Sequence, residues 1–259
     1  FFHPHAAIRD PLWSRGLGDV YKRQIEGSET RRKFIDGIIS QTDKEYLNNL
    51  IDYNKTLKQR NALLKMFYDN SESIRKTIDI YDRQLSSDAQ KIYDKRREFL
   101  NEFIPIFKSR YKELSNDKEN VEIKHSSDIS PDQNLYKLLK NSLEKDLRFQ
   151  YTTKGIHKDD LNLSLDNFPI KKYGSQGQQK TFLIALKLAQ FDYLSKLKSN
   201  PILLLDDIFD KLDQNRVSQT IKLFENESIG QIFVSDTHED RVKLALSDTS
   251  SKYEIFNLN

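Results

Sequence analysis

The chain has 259 residues, of which 31% are charged and 37% hydrophobic, and its formal net charge at pH 7 is +3. This composition is typical of a helix-rich globular protein with long solvated faces, and the length allows one large domain or two modest ones. The lack of cysteine excludes disulfides and thiolate zinc sites, and no apolar run approaches the roughly 20 residues of a membrane span, so we expect a cytoplasmic protein without a membrane partner.

The first 24 residues differ from the rest of the chain. They show neither helical periodicity nor strand alternation, and they contain the only tryptophan, Trp13. Residues 10–24 (DPLWSRGLGDVYKRQ) resemble translated sequencing-adapter DNA, and the segment lacks the features of a signal peptide. We therefore expect residues 1–24 to be foreign to the protein and assign no metal site to His3 and His5.

Two long helices are predicted next. Residues 29–59 and 73–111 are rich in Lys, Glu, Arg, Gln and Leu, and their apolar residues recur at helical spacing. Residues 68–73 (YDNSES) predict the break between the helices, with Ser71 as an N-cap, and Pro105 is expected to kink or end the second helix. Two antiparallel helices with polar outer faces indicate an arm or lobe.

Basic residues on the second helix allow two interpretations. Residues 95–97 (KRR) and a second group could contact a phosphate backbone, or they could form an ordinary solvated helix face. The second group consists of Lys108, Arg110 and Lys112.

Short strands and a helix are predicted between residues 121 and 165. Residues 121–125 (VEIKH) and 161–165 (LNLSL) alternate in polarity, as half-buried strands do. Residues 132–149 predict a helix, and residues 150–154 a short extended segment. A metal site is conceivable from three ligand-type side chains, although such residues without a fourth more often cap a turn and pair with lysines. They are His157, Asp159 and Asp160.

Residues 173–179 (YGSQGQQ) predict a turn that opens a helix. The glycines let the backbone approach a ligand, and Ser175 offers a hydroxyl. The helix predicted from about residue 178 to 197 would present its positive end to that ligand. Alone, the pattern also fits an ordinary N-capped helix. The predicted apolar stripe of the helix is Phe182, Leu183, Leu186, Ala189, Phe191 and Leu194.

Two carboxylates follow a strongly apolar strand. Residues 202–205 (ILLL) predict a central parallel strand covered on both faces. Asp206 and Asp207 come at its carboxyl end, where α/β sheets place ligands, and adjacent carboxylates there indicate a cation or a general base. We expect Asp206 to hold Mg²⁺ and Asp207 to polarise an attacking water.

A turn and a second strand complete the pattern. Asp210, Leu212 and Asp213 resemble a D-loop, residues 231–235 (QIFVS) predict the next buried strand, and His238 after it would contact a γ-phosphate or be an exposed loop histidine. These motifs are those of an ABC-type ATPase. The Walker A loop, G-x-x-x-x-G-K-[ST], is missing, because none of the eight glycines is followed by lysine. We expect half of a nucleotide site, in a fragment.

From Ile25 onward the chain resembles the RecF family of ABC/SMC-like ATPases. The matching stretches are residues 26–39 (EGSETRRKFIDGII), 53–64 (YNKTLKQRNALL), 155–161 (GIHKDDL), 174–179 (GSQGQQ) and 202–213 (ILLLDDIFDKLD). The resemblance implies an α/β fold: the C-terminal part of an ABC-ATPase-like head, which has the P-loop NTPase fold, and a mainly helical second lobe. It divides the chain into a remnant of lobe I (25–36), the helical lobe II (37–146) and the C-terminal part of lobe I (147–259).

The resemblance also implies function. Members bind ATP and Mg²⁺, dimerise with ATP on DNA, and act with RecR and RecO at single-strand gaps and junctions and in the SOS response. The full-length family is a weak DNA-dependent ATPase, and a fragment without Walker A should be inactive alone. Asp207 and His238 would be catalytic. A partner's ATP would be clamped by the signature motif, Ser175, Gln176, Gly177 and Gln178.

Two alternatives remain open from the sequence. One is the head of another ABC/SMC-like ATPase, of the overcoming-lysogenisation or abortive-infection type. The other is a non-enzymatic module whose helical arm binds a protein partner.

Overall fold

The structure, a computed structural model, describes residues 27–66, 72–130, 133–197, 201–225, 231–247, 249 and 252–256. The segment 1–24 and Ser71, the expected N-cap, lie outside the described residues. None of the described helices combines the length and hydropathy that a bilayer crossing requires.

Eight α-helices and five strands occur in the described part of the chain. The helices are α1 (Ser28–Thr42), α2 (Lys44–Met66), α3 (Glu72–Ser115), α4 (Leu135–Phe149), α5 (Ile170–Tyr173), α6 (Gln176–Leu197), α7 (Gln214–Phe224) and α8 (Glu239–Ala245). The strands are β1 (Val121–Ser126), β2 (Asp160–Leu165), β3 (Phe168–Pro169), β4 (Ile202–Asp206) and β5 (Gln231–Ser235), and a 3₁₀ turn spans Ile156–Lys158.

The first predicted helix is in fact two helices that meet at Asp43. The Asp43 carboxylate accepts a hydrogen bond of 2.8 Å from the backbone N–H of Tyr46, so it caps α2 where the sequence predicted an unbroken helix. Contacts of Arg60 with Asp82 and of Tyr46 with Arg96 show that α2 and α3 run antiparallel, as predicted for the arm.

The long helix α3 continues through Pro105 to Ser115, so the expectation that this proline could end the helix is wrong. Pro105 lies on the exposed side of α3. Phe107 and Tyr111, beyond it, are completely buried, and this burial holds the last turns in the helix although one backbone hydrogen bond is lost.

The second half of α3 packs along α6. The rings of Phe107 and Phe182 have centroids 4.7 Å apart, and those of Phe99 and Tyr193 lie 5.0 Å apart, edge to face. One helix therefore contributes both to the arm and to the core beside α6. The predicted division of the chain at residues 146 and 147 stays a prediction.

Two small sheets flank this core. β1, β2 and β3 form an antiparallel sheet, with Val121 opposite Leu165, so the two predicted alternating strands are confirmed. The helix predicted from residue 132 begins at Leu135, because Asn134 caps it through the N–H of Lys137. The predicted extended segment 150–154 instead begins with a left-handed turn at Gln150.

β4 and β5 form a parallel pair joined by α7, and only one face of the pair is packed. Leu203 and Leu205 are buried in the core, but Ile202 and Leu204 are 56% and 55% exposed. Phe233 on β5 is 49% exposed. The predictions that β4 is covered on both faces and that β5 is buried are therefore wrong, because no described element packs on their second face.

Two buried arginines organise the base of the arm. Arg60 of α2 donates hydrogen bonds to Asp82 and Asp146 at 2.6 and 2.7 Å. Arg96 of α3 donates to Asp36 and to Asp159 at 2.9 and 3.0 Å. A buried guanidinium needs such carboxylates because its desolvation is otherwise uncompensated.

Burial also changes the interpretation of the basic cluster. Arg96 is 1% exposed and cannot contact a phosphate backbone. Arg110 forms a two-bond pair with Asp192, at 2.6 and 2.9 Å, and Lys112 lies 3.0 Å from Asp117. Lys95 likewise pairs with Asp43 and Glu98, so four of the six predicted basic residues are engaged within the protein.

The proposed metal ligands at residues 157–160 are engaged elsewhere. Asp159 accepts from Arg96, and Asp160 pairs with Arg31 at 2.7 Å, so the expected pairing exists but is with arginines and not lysines. Gly155 precedes them with φ +129°, and a Cβ there would lie 2.6 Å from the Tyr53 hydroxyl. Only glycine fits this position.

His157 bridges two of the stretches that carry the resemblance. Its Nδ1 accepts a hydrogen bond of 2.7 Å from the Tyr53 hydroxyl, and its Nε2 donates to the carbonyl of Thr152 at 3.0 Å. Burial lowers the pKa of His157 from 6.5 to about 4. The folded protein therefore holds the His157 ring in its neutral form.

We predict that the contribution of His157 to the free energy of unfolding depends on pH. The unfolded chain protonates this ring near pH 6.5 and the folded chain only near pH 4, so the stabilisation is present above pH 6.5 and is lost as the pH falls, by about 3 kcal/mol. Glutamine does not titrate, so His157→Gln lacks this pH dependence. The unfolding free energy of wild type minus that of His157→Gln, measured with urea, should therefore be smaller at pH 4 than at pH 7 by that amount. A difference that does not change with pH would contradict the prediction.

Candidate nucleotide-binding site

The glycine turn before α6 is closed by a reciprocal cap. Ser175 Oγ accepts from the N–H of Gln178 at 3.2 Å, and Gln178 Oε1 accepts from the N–H of Ser175 at 2.8 Å. This is a capping box, and it begins the helix at Gln176, two residues earlier than predicted. Ser175 and Gln176 are exposed.

The signature turn, residues 174–178, lies against the predicted D-loop. A Cβ built on Gly177 would be 3.1 Å from the backbone oxygen of Lys211, which itself has φ +60°. The helix N-terminus and the segment after β4 are therefore neighbours, although 30 or so residues separate them in sequence.

The two strand-end carboxylates differ in environment. Asp206 accepts a hydrogen bond from the hydroxyl of Ser235, its register partner on β5. Asp207 has φ +50°, and its N–H donates to the Ser235 carbonyl at 2.7 Å. The left-handed turn ends β4 and separates the directions of the two side chains. Ser235, which the sequence analysis gave no role, therefore holds both residues.

Lys180 joins the signature helix to the strand ends. Its Nζ donates to the backbone carbonyl of Asp207. Burial lowers the pKa of Lys180, and the nearby charges of Asp207, Asp210 and Asp236 oppose that shift. The lysine thus places a positive charge among three carboxylates. The sequence analysis assigned no role to Lys180.

The end of β5 carries a buried carboxylate and an exposed histidine. The side chain of Asp236 is fully buried, and it accepts from the N–H of His238 at 2.8 Å. The His238 side chain is 65% exposed, at the N-terminus of α8. His238 and Asp206 follow adjacent parallel strands and so lie on the same edge of the pair.

The predicted D-loop residues divide between the turn and the next helix. Asp213 caps α7 by accepting from the N–H of Arg216 at 2.9 Å. Leu212 packs against the core, and Asp210 is near enough to Lys180 to affect its charge.

Glu119 and Arg216 are further residues near the signature turn that sequence reasoning missed. Glu119 accepts from Gln178 Nε2 at 2.9 Å and from Arg216 Nη2 at 2.7 Å. Neither residue lies in a stretch that matches a nucleotide motif, and no sequence signal pointed to them.

The donor set fits Mg²⁺ and one half of an ATP site. Mg²⁺ is usually held by one or two carboxylates together with phosphate oxygens, and Asp206 and Asp207 can supply the carboxylates. Among the described residues, no group of three or more His, Asp or Glu forms a metal cluster. The exposed capped turn offers backbone N–H groups and a hydroxyl to a phosphate.

No family model matches the chain, but curated proteins do. DNA replication and repair protein RecF of Flavobacterium johnsoniae is 49% identical over 235 residues, 90% of this chain and 65% of that protein. The protein of the same name from Bacteroides thetaiotaomicron is 46% identical over 234 residues, 90% of this chain and 62% of that protein. The chain thus spans less than two thirds of the length of these relatives.

Two solved structures are similar as well. They are described as the recombination mediator protein RecF in the RecFOR pathway, one with ATP and one with ATPrS. Each matches with a TM-score of 0.73 and 30% identity, over 85% of this chain and 61% of that chain. The predicted fold class is confirmed: part of an ABC-ATPase-like head with a mainly helical second lobe.

A pair of glycine substitutions tests the contact between the signature turn and the D-loop. Gly177→Ala places a methyl group against a backbone oxygen and should destabilise the chain by about 1 kcal/mol. In Gly37→Ala the new Cβ meets nothing within 4 Å, so helix α1 should gain about 0.5–1 kcal/mol. Urea unfolding of both variants measures the sign of each change in unfolding free energy. Equal stabilisation by Gly177→Ala and Gly37→Ala would contradict the close contact between Gly177 and Lys211.

Proposed function

Since the chain is a homologue of the RecF proteins over the length that it shares with them, we propose that the full-length protein is a RecF-type, ATP-dependent DNA replication and repair protein. One observation carries this proposal most directly. Gly177 of the signature turn lies against Lys211, in the turn that follows the carboxylate-tipped strand, and Lys180 donates to the Asp207 carbonyl, so motifs that are far apart in sequence lie side by side on the folded chain.

ATP would be shared between two copies of the protein. Ser175, Gln176, Gly177 and Gln178 would contact the γ-phosphate of ATP held by the Walker A loop of a second copy. A bound Mg²⁺ would neutralise phosphate charge. On this chain, Asp206 would hold the cation and Asp207 would orient a water, while His238 would meet the phosphate from the next strand end.

The longer relatives suggest where the rest of the site lies. The open face of β4 and β5 exposes Leu204 and Phe233, and parallel strands are usually covered on both faces. In the proposal, sequence beyond the region shared with this chain covers that face and supplies the Walker A loop.

DNA and protein partners complete the proposal. The ATP-bound dimer would bind single-strand gaps and duplex junctions and would act there with RecR and RecO proteins, with a part in the SOS response. The identity of 49% to a protein named RecF favours this function over another ABC/SMC-like head.

A substitution in the signature turn tests the shared site. In the full-length protein, Ser175→Arg should leave ATP binding unchanged, because that residue meets the partner's nucleotide. ATP-induced dimers, measured by analytical ultracentrifugation, and ATP-dependent gel retention of gapped DNA should both be lost. Ser109→Arg, at an exposed position of α3, is the matched control. Intact dimers in Ser175→Arg would defeat the trans arrangement, and a wild-type protein without ATP-dependent retention would defeat the repair function.

A second substitution tests the strand end. Asp206→Asn should lower Mg²⁺-dependent ATP hydrolysis at least about a hundredfold, since the cation contributes several kcal/mol of charge stabilisation. Phosphate release by the full-length protein measures the rate, and Asp240→Asn on the exposed side of α8 is the control. Unchanged turnover in Asp206→Asn would show that the magnesium assignment is wrong.

A further inference from the structure

Glu119 lies where the arm helix ends and the first sheet begins. The chain turns after α3 through Asn116 and Asp117, both with positive φ, and this turn brings Glu119 back beside the helix. Its Oε2 accepts a hydrogen bond of 2.6 Å from the hydroxyl of Tyr111, in the last turns of α3. Its Oε1 accepts from Gln178 of the signature turn. One carboxylate therefore joins α3 to the start of α6.

Arg216 extends this connection to the D-loop. Its Nη2 donates to Glu119, and its Nη1 donates to Thr181 Oγ1 at 2.8 Å. Thr181 in turn donates to the carbonyl of Gly177 at 2.8 Å. The Nε of Arg216 is 3.2 Å from Asp213, the residue that ends the D-loop and caps α7.

We propose that Glu119 and Arg216 are positioning residues, which fix the signature turn relative to the D-loop and tie both to the end of the arm helix. The proposal rests on the proposed function, since it concerns the same signature turn. As a consequence, a change in the orientation of the arm helix would be transmitted to the surface that clamps the partner's nucleotide by this ion pair, in addition to the packing of α3 on α6.

The burial of the pair makes this coupling strong. The side chains of Glu119 and Arg216 are 12% and 16% exposed. Burial acts to raise the pKa of Glu119, but hydrogen bonds from Tyr111, Gln178 and Arg216 outweigh it, so the pKa is lowered and the carboxylate is charged. Loss of one partner leaves the other charge poorly compensated, which is costly at a partly buried site.

The same two helices offer a matched control. Arg110 of α3 and Asp192 of α6 form a two-bond ion pair whose side chains are 13% and 17% exposed. This pair joins α3 to α6 several turns away from the signature motif. A variant at Asp192 therefore breaks a comparable bond without releasing the signature turn.

Hydrogen–deuterium exchange of the full-length protein without nucleotide tests the positioning itself. In Glu119→Ala the amides of residues 174–181 should exchange at least about tenfold faster than in wild type, since hydrogen bonds to a charged group are lost. Asp192→Ala should leave those amides within about twofold of wild type, at a similar loss of thermal stability. Arg216→Lys keeps the charge but not the forked guanidinium, so the exchange rates of residues 174–181 should lie between those of wild type and Glu119→Ala. This variant replaces Glu119→Ala in the test if Glu119→Ala fails to fold.

ATP-dependent dimerisation tests the link to function. Glu119→Ala should raise the dissociation constant of the ATP-bound dimer about tenfold while the affinity for ATP, from fluorescent-nucleotide titration, stays within about twofold. Glu119→Gln keeps one oxygen that can accept from Arg216 and Gln178 but loses the charge, so its dissociation constant should lie between those of wild type and Glu119→Ala.

Two results would overturn the positioning role: wild-type exchange at residues 174–181 in Glu119→Ala, or equal acceleration in Asp192→Ala. Equal dimerisation by Glu119→Ala and wild type would overturn the coupling. A wild-type protein that forms no ATP-dependent dimer would overturn the proposed function, and the exchange result would still decide whether Glu119 positions the turn.

Discussion

Phe182 packs against Phe107 and Tyr111, and this aromatic contact makes the arm helix and the signature helix parts of one core. All three side chains are completely buried. Since the interior is close-packed, α3 cannot shift along α6 without opening a cavity, and the ion pair between Arg110 and Asp192 further fixes their register. The location of the signature turn follows from that packing, because α6 begins at the turn and the last turns of α3 end beside it. The arm and the candidate nucleotide site are therefore connected through one long helix, α3.

Charge burial organises the other end of the arm. Arg60 and Arg96 are almost completely buried, and each is held by carboxylates from different segments of the chain. Three stretches that carried the family resemblance (27–39, 53–64 and 155–161) meet there. The need to compensate buried charge and to fit Gly155 against Tyr53 accounts for several of their residues. A motif shared by a family can thus mark a structural joint as readily as a binding site.

The candidate site has a different physical basis. A helix N-terminus supplies positive potential, while the ends of parallel strands supply carboxylates, and Lys180 lies between the two. The arrangement is one-sided: the turn and the strand end face outward, and β4 has an apolar face that no described residue covers. Both features support the proposal that the site is shared with a second copy and with additional sequence.

The sequence by itself determined most of the element types and the two candidate nucleotide motifs, because alternation, helical periodicity and an aspartate-tipped apolar run are local signals, while the fold class followed from the resemblance to a family. The sequence-based predictions were wrong where long-range contacts set a helix boundary or the burial of a side chain. Asp43 interrupts a helix and Pro105 does not, and Arg96 is buried where the sequence suggested a basic surface. Glu119, Arg216 and Ser235 could be identified only from the structure, since the contacts of Glu119 with Gln178 and Arg216, and of Ser235 with Asp206, span 29 to 97 residues. Tertiary packing alone brought those side chains to the signature turn and the strand ends, because hydrogen bonds and ion pairs depend on distance in space and leave no periodic trace in the chain.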